Sequence, residues 1–140
     1  MAHAASGVRV SDECKLKFSE LRKKKAHRYI IFKIDEKAQE IIVERIGAPT
    51  ESYETFASCL PENEPRFGVF DLDFVCEEGR PQSKIFFIAW SPDTARVKSK
   101  MLYASSKERC RRELEGIHYD VQATDPTEME VEVLKERTKK

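Results

Sequence analysis

The sequence predicts an α/β (α+β) fold: one mixed sheet with helices on both faces, in a single domain spanning residues 1–140. Three observations predict it. Helical and strand-like segments follow one another in the order αββαββαβα, which supplies helices for both faces of a sheet. Residues 84–90 (K-I-F-F-I-A-W) are nearly all apolar, as a strand covered on both sides requires. The chain contains no repeat, linker or low-complexity segment, and 140 residues suffice for one core.

Each element has a local reason. Residues 1–10 are small and polar and read as a mobile N-terminal arm. Ser11 is placed to cap a helix, with Asp12 and Glu13 complementing its dipole. Cys14, Phe18 and Leu21 follow at helical spacing, and lysines to Lys25 suit the last turn. Residues 28–35 and 39–46 are rich in β-branched and aromatic side chains; the polar link Glu36-Lys37-Ala38 predicts a hairpin. Ser52 opens a short helix carrying Tyr53, Phe56 and Leu60, stopped by Pro61. Residues 66–75 alternate, with Phe70, Leu72 and Phe74 on one face and Asp71 and Asp73 on the other. Residues 77–82, containing Gly79 and Pro81, read as a turn before the apolar strand. A basic helix starts near Ser91, Gly116 breaks it, residues 119–124 add a strand, and Asp125-Pro126-Thr127 opens a final helix to Arg137.

Net charge is zero, but the charge is segregated. Residues 1–37 carry +5, residues 38–79 carry −8, residues 80–112 carry +7 and residues 113–140 carry −4. Such blocks make patches that steer partners, or faces that neutralise one another in the fold. Cys14, Cys59, Cys76 and Cys110 form no C-x-x-C pair and lack zinc spacing, so reduced thiols are expected. The N-terminus lacks the apolar core of a signal peptide and no apolar run approaches a membrane span, which points to the cytoplasm. Arg22-Lys23-Lys24-Lys25 reads either as the exposed face of a helix or as a nuclear-import run, which would add the nucleus.

The segment 90–107 (W-S-P-D-T-A-R-V-K-S-K-M-L-Y-A-S-S-K) carries the most information. Ser91 can cap, Pro92 suits the first helical position and Asp93 complements the dipole. At 100° per residue its apolar side chains do not form one stripe. Ala95 and Leu102 share one side, Val97 and Ala104 lie opposite, and Met101 lies between Val97 and the line Thr94–Lys98–Ser105. Two contact surfaces follow: one for the sheet, and one for a partner, with Met101 flanked by Lys98 and Lys100. A broad core face edged by lysines satisfies the same pattern.

Catalytic patterns are missing: there is no G-x-S-x-G, H-E-x-x-H or phosphate-cradling loop, and His3, His27 and His118 are scattered. Asp71 and Asp73 share a strand face as metal ligands do, but a salt-bridged face explains them without a metal. Binding is expected rather than catalysis, with no cofactor and no metal. On the residues alone a basic nucleic-acid or membrane-surface binder stays open; it would show steep salt dependence and no need of Met101.

Residues 90–107 resemble the long-helix signature of the actin-depolymerising factor/cofilin family. Segments A-S-G-V-R-V-S-D-E-C (5–14), D-L-D-F-V (71–75), S-K-I-F-F-I-A-W (83–90) and V-Q-A-T-D-P-T-E-M (121–129) match in the same order, with details like those of the plant branch. The resemblance covers nearly the whole chain. It implies an actin-depolymerising-factor homology domain built on a mixed five-stranded sheet. It also implies a monomeric, cytoplasmic and cytoskeletal protein that binds actin monomers and filaments, severs filaments and promotes their depolymerisation. Carried over residue by residue, the monomer and filament site includes Ser6, Gly7, Arg96, Lys98, Lys100 and Met101. The additional filament contact includes Arg80, Lys84, Lys135 and Arg137; position 82 departs from the pattern, being Gln where relatives often carry a cation. Ser6 corresponds to the arm serine whose phosphorylation by a protein kinase switches relatives off, and the basic helix suggests phosphoinositide binding that competes with actin. Nucleic acid is not among the implied partners. Some relatives sense pH through a histidine in the segment matching 116–123; here His118 is one position off, with Tyr119 in its place.

Overall fold

Alternating apolar side chains give this chain a sheet with two buried faces. The computed structural model describes residues 7–139. Its strands are β1 (Arg9–Val10), β2 (Tyr29–Asp35), β3 (Glu40–Gly47), β4 (Arg66–Val75), β5 (Pro81–Trp90) and β6 (Tyr119–Ala123). Its helices are α1 (Asp12–Lys24), α2 (Tyr53–Ser58), α3 (Val97–Glu113) and α4 (Val131–Arg137), with a 3₁₀ turn at Pro126–Met129. The sheet order is β1-β3-β2-β4-β5-β6. The four inner strands are antiparallel, and both edges are parallel, β1 to β3 and β6 to β5. A parallel β5–β6 pair needs a crossover, and α3 is that crossover.

Alternation sorts the core. Ile30, Phe32, Phe67, Val69, Ile85 and Phe87 face one way and pack under α1 and α3 through Phe18, Leu21, Tyr103 and Cys110. Ile31, Phe70, Leu72, Phe86, Ile88 and Trp90 face the other way, under α2, the 3₁₀ turn and α4 through Tyr53, Phe56, Met129 and Leu134. The expected doubly covered strand is β5, buried from Ile85 to Trp90. Both serine caps form as the sequence requires: Ser11 Oγ accepts from Cys14 N–H at 3.3 Å and Ser52 Oγ from Thr55 N–H at 3.2 Å.

Several expectations are corrected. The sheet has six strands, not five, because Arg9↔Glu40 and Val10↔Ile41 pair as a two-residue edge. The N-terminal arm is correspondingly shorter: Val8 is fully buried and Arg9 N–H donates to Gln39 O at 3.0 Å. β5 begins at Pro81, since the β4–β5 ladder runs unbroken from Arg66↔Trp90 to Val75↔Pro81. The long helix begins at Val97, not near Ser91. Ser91 N–H donates to Ala123 O at 2.9 Å and Asp93 N–H to Thr124 O at 3.3 Å, so this segment continues alongside β6. Arg96 holds the N-cap position without a side-chain cap. The final helix is split: Asp125 caps a 3₁₀ turn, Glu130 is extended with ψ 147, and α4 restarts at Val131.

Candidate functional site: the outward face of α3

Helix α3 is fastened on one side and open on the other. Tyr103, Ser106 and Cys110, at spacings of three and four, form its buried line. Tyr103 packs on Phe67 with ring centroids 5.2 Å apart, and its hydroxyl accepts the buried Ile34 N–H at 2.9 Å. That bond ties the helix to β2. Leu102 is half-buried against the same core, and Ala95 is buried just before the helix, so both lie on the sheet side as expected. On the other side, Val97 is 68% and Met101 66% exposed, one turn apart. Arg96 and Lys98 are exposed beside them, and half-buried Lys100 donates from Nζ to Asp93 O at 3.3 Å. Exposed apolar side chains framed by cations make a surface that can pack against a partner carrying carboxylates.

The N-terminal segment joins this side of the molecule. β1 contacts α3, and Val8 belongs to the core beneath it. Gly7 is exposed with φ 56, a left-handed conformation that glycine adopts without strain. Ser6 lies outside the described residues.

The second predicted set falls on the opposite face of the sheet. Lys84 and Gln82 alternate with Phe86 toward the α4 side. Arg80 is exposed at the hairpin tip, 3.8 Å from Glu78, and Arg137 is exposed on α4. A cleft of about 580 Å³ brings Gln82 of β5 together with Lys135, Thr138 and Lys139 at the end of α4, facing Glu77 and Glu78. The nine predicted residues that are described thus divide into a set on or beside α3 (Gly7, Arg96, Lys98, Lys100 and Met101) and a set on the β4–β5 hairpin and α4 (Arg80, Lys84, Lys135 and Arg137). Val97 is not among the site residues that the resemblance implies, although the helix spacing sets it opposite Ala95 and Leu102, one turn from Met101.

Asp71 and Asp73 have a structural role. Asp71 is buried; Lys25 Nζ donates to it at 2.8 Å and Ser83 Oγ at 2.5 Å. Arg28 donates to Asp73 at 2.9 Å. Partial burial raises the Asp73 carboxyl, but the Arg28 hydrogen bond and charge outweigh it and hold the group below the usual carboxylate range. These pairs fasten the loop after α1 to the β4–β5 hairpin. Among the described residues no cluster of three or more His, Cys, Asp and Glu could hold a metal ion.

His118 joins β6 to β5. Ile85 N–H donates to its Nδ1 at 2.9 Å and its own N–H donates to Ile85 O at 2.9 Å. Partial burial first, then the Lys84 and Lys25 charges, push its pKa down, against an opposing pull from Asp71.

Known proteins share this sequence and architecture. The family of cofilin/tropomyosin-type actin-binding proteins matches residues 7–139. An actin-depolymerizing factor from Vitis vinifera is 61% identical over 135 residues, 96% of this chain and 94% of that protein. One from Lilium longiflorum is 59% identical over 137 residues, 98% of this chain and 99% of that protein. The crystal structure of Streptomyces griseoflavus cofilin superposes with a TM-score of 0.85 at 38% identity, covering 93% of this chain and 96% of that one. The chain therefore belongs to the cofilin/tropomyosin-type actin-binding protein family.

Proposed function

We propose that this protein binds monomeric and filamentous actin through the outward face of α3, severs filaments and promotes their depolymerisation. The observation that carries the reading is the exposed Val97–Met101 pair, bordered by Arg96 and Lys98, on a helix whose opposite line is locked to β2 by Tyr103. A rigid helix presenting apolar side chains among cations loses little entropy on docking. The cations raise the encounter rate with an acidic protein, and Met101 adapts to the contact. Arg80, Lys84, Lys135 and Arg137 form a second contact, made only where a filament presents a second subunit. Binding more tightly to one filament twist than another shifts the filament toward that twist, so severing needs no covalent step. The protein acts as a monomer without a cofactor and is not an enzyme.

Regulation follows from the same electrostatics. Ser6 is bonded to Gly7, which lies two residues before β1, the strand that contacts α3. Phosphorylation of Ser6 by a protein kinase adds about −1.5 to −2 charges at pH 7, which an acidic partner repels. Phosphoinositide headgroups compete for the α3 cations. The site of action is the cytoplasm and cytoskeleton, with the nucleus a further location. Among the described residues no helix is long and apolar enough to cross a membrane.

High-speed co-sedimentation with filamentous actin tests this reading, scored for bound protein and for loss of pelletable actin. Met101→Ala removes an exposed side chain and leaves the fold intact, yet weakens binding by about tenfold or more. Ser6→Asp pellets less than Ser6→Ala. Unchanged pelleting of Met101→Ala, with binding governed by salt alone, would replace the reading with general polyanion binding.

A further inference from the structure

The face of the sheet away from α3 carries a groove that the proposed actin contacts do not use. It lies between α2 and the Pro126–Met129 turn, continues to the start of α4, and has a volume of about 730 Å³. Its floor is apolar, with Tyr53, Leu60, Trp90 and Met129 prominent. Its rim carries six carboxylates: Glu54, Glu62, Asp93, Asp125, Glu130 and Glu132. No lysine or arginine lines it. Among the described residues none of the six forms an ion pair. The two acidic blocks of the sequence, residues 38–79 and 113–140, supply five of them, and folding brings those blocks to one rim. The segregated charge therefore does not simply cancel. It gives the molecule an apolar α3 face framed by cations and, on the other side, an apolar groove framed by anions.

We propose that this groove docks a basic amphipathic helix of a partner protein. Apolar side chains at i, i+3, i+4 and i+7 of such a helix fill the floor, while its lysines and arginines meet the unpaired carboxylates. A guest cannot add a strand at Trp90, the strand residue on the floor, because it is already paired on both sides, to Arg66 and to Ala123. The acidic rim repels phosphate, which excludes nucleic acid and anionic membranes. A cationic guest supplies counter-charges to carboxylates that make no ion pair among the described residues.

The test uses the full chain, ¹⁵N-labelled, titrated with a Leu/Lys peptide of about 18 residues whose leucines recur at i, i+3, i+4 and i+7. A Leu/Glu peptide of the same pattern is the control. The Leu/Lys peptide is expected to shift amides of residues 53–60, 92–94 and 124–132, with affinity falling as salt rises. The exposed-site variant Glu54→Lys/Glu130→Lys/Glu132→Lys is expected to weaken it by about tenfold or more while its own amide spectrum stays folded. A second variant, Leu60→Ala, removes floor and not charge and is expected to weaken the same peptide. Shifts elsewhere on the molecule, equal binding of the Leu/Glu peptide, or undiminished binding by the triple variant would overturn the proposal. So would self-association of the chain through these residues without peptide, which would make a second copy the occupant.

Discussion

Removing one hydroxyl from Tyr103 has a predictable cost, and removing one from Tyr53 has the opposite sign. The Tyr103 hydroxyl accepts the Ile34 N–H at 2.9 Å, and both groups are buried. Tyr103→Phe keeps the ring against Phe67 and leaves that donor without a partner. A buried unpaired N–H costs about 1–3 kcal/mol. For a chain of this length each kcal/mol lowers Tm by about 3–4 °C, so the expected loss is about 3–12 °C. The Tyr53 hydroxyl is also buried but makes no hydrogen bond among the described residues. Tyr53→Phe removes a desolvated group that gains nothing, so stability stays level or rises by up to about 1 kcal/mol. Urea unfolding of the two variants, with the m-value checked for constancy, measures both changes. Amide exchange at Ile34 should accelerate in Tyr103→Phe alone. Equal losses for the two variants, or a larger loss for Tyr53→Phe, would refute the reasoning. The outcome bears on the proposed function, since the Tyr103 bond holds to the sheet the helix proposed to meet actin.

Two further outcomes follow from close contacts. Gly47→Ala would drive a Cβ into the Tyr29 ring, which is fully buried between Phe56 and Phe70; overpacking there is expected to cost about 1–3 kcal/mol in thermal unfolding. The fold disfavours the charged form of His118, so its contribution to stability is complete above the ordinary histidine pKa of about 6.5 and is lost as pH falls through its depressed folded value. A Tm profile from about pH 7.5 to 5 should therefore fall less steeply for His118→Gln than for the unaltered chain.

Much of this architecture is legible in the sequence because it is local. Ser11 and Ser52 sit immediately before helical spacing, and both cap. Residues 66–75 alternate, and Phe70 and Leu72 turn to one core while Asp71 and Asp73 turn from it. Non-local effects were not legible. Ser91-Pro92-Asp93 has every mark of a helix start, yet hydrogen bonds to residues 123 and 124 hold it beside β6. β1 has two residues, too few for any periodicity, and exists because β3 offers an edge. Asp71 is buried because Lys25, 46 residues earlier, reaches it. Within the candidate site, spacing along one helix set Met101 beside Lys98 but fitted a broad core face equally, and only the family resemblance turned the pair outward. That Lys135 and Gln82 line one cleft depends on where α4 lies relative to the β4–β5 hairpin, which no short stretch encodes.

The division of the site into two faces can be tested in one comparison. Lys98→Ala/Met101→Ala and Lys135→Ala/Arg137→Ala are each titrated against fluorescently labelled monomeric actin and against filaments. The first variant is expected to lose about tenfold or more on both forms, and the second to lose comparably on filaments while binding monomer unchanged. Normal filament binding by the first variant, or an equal loss on both forms by the second, would contradict the account.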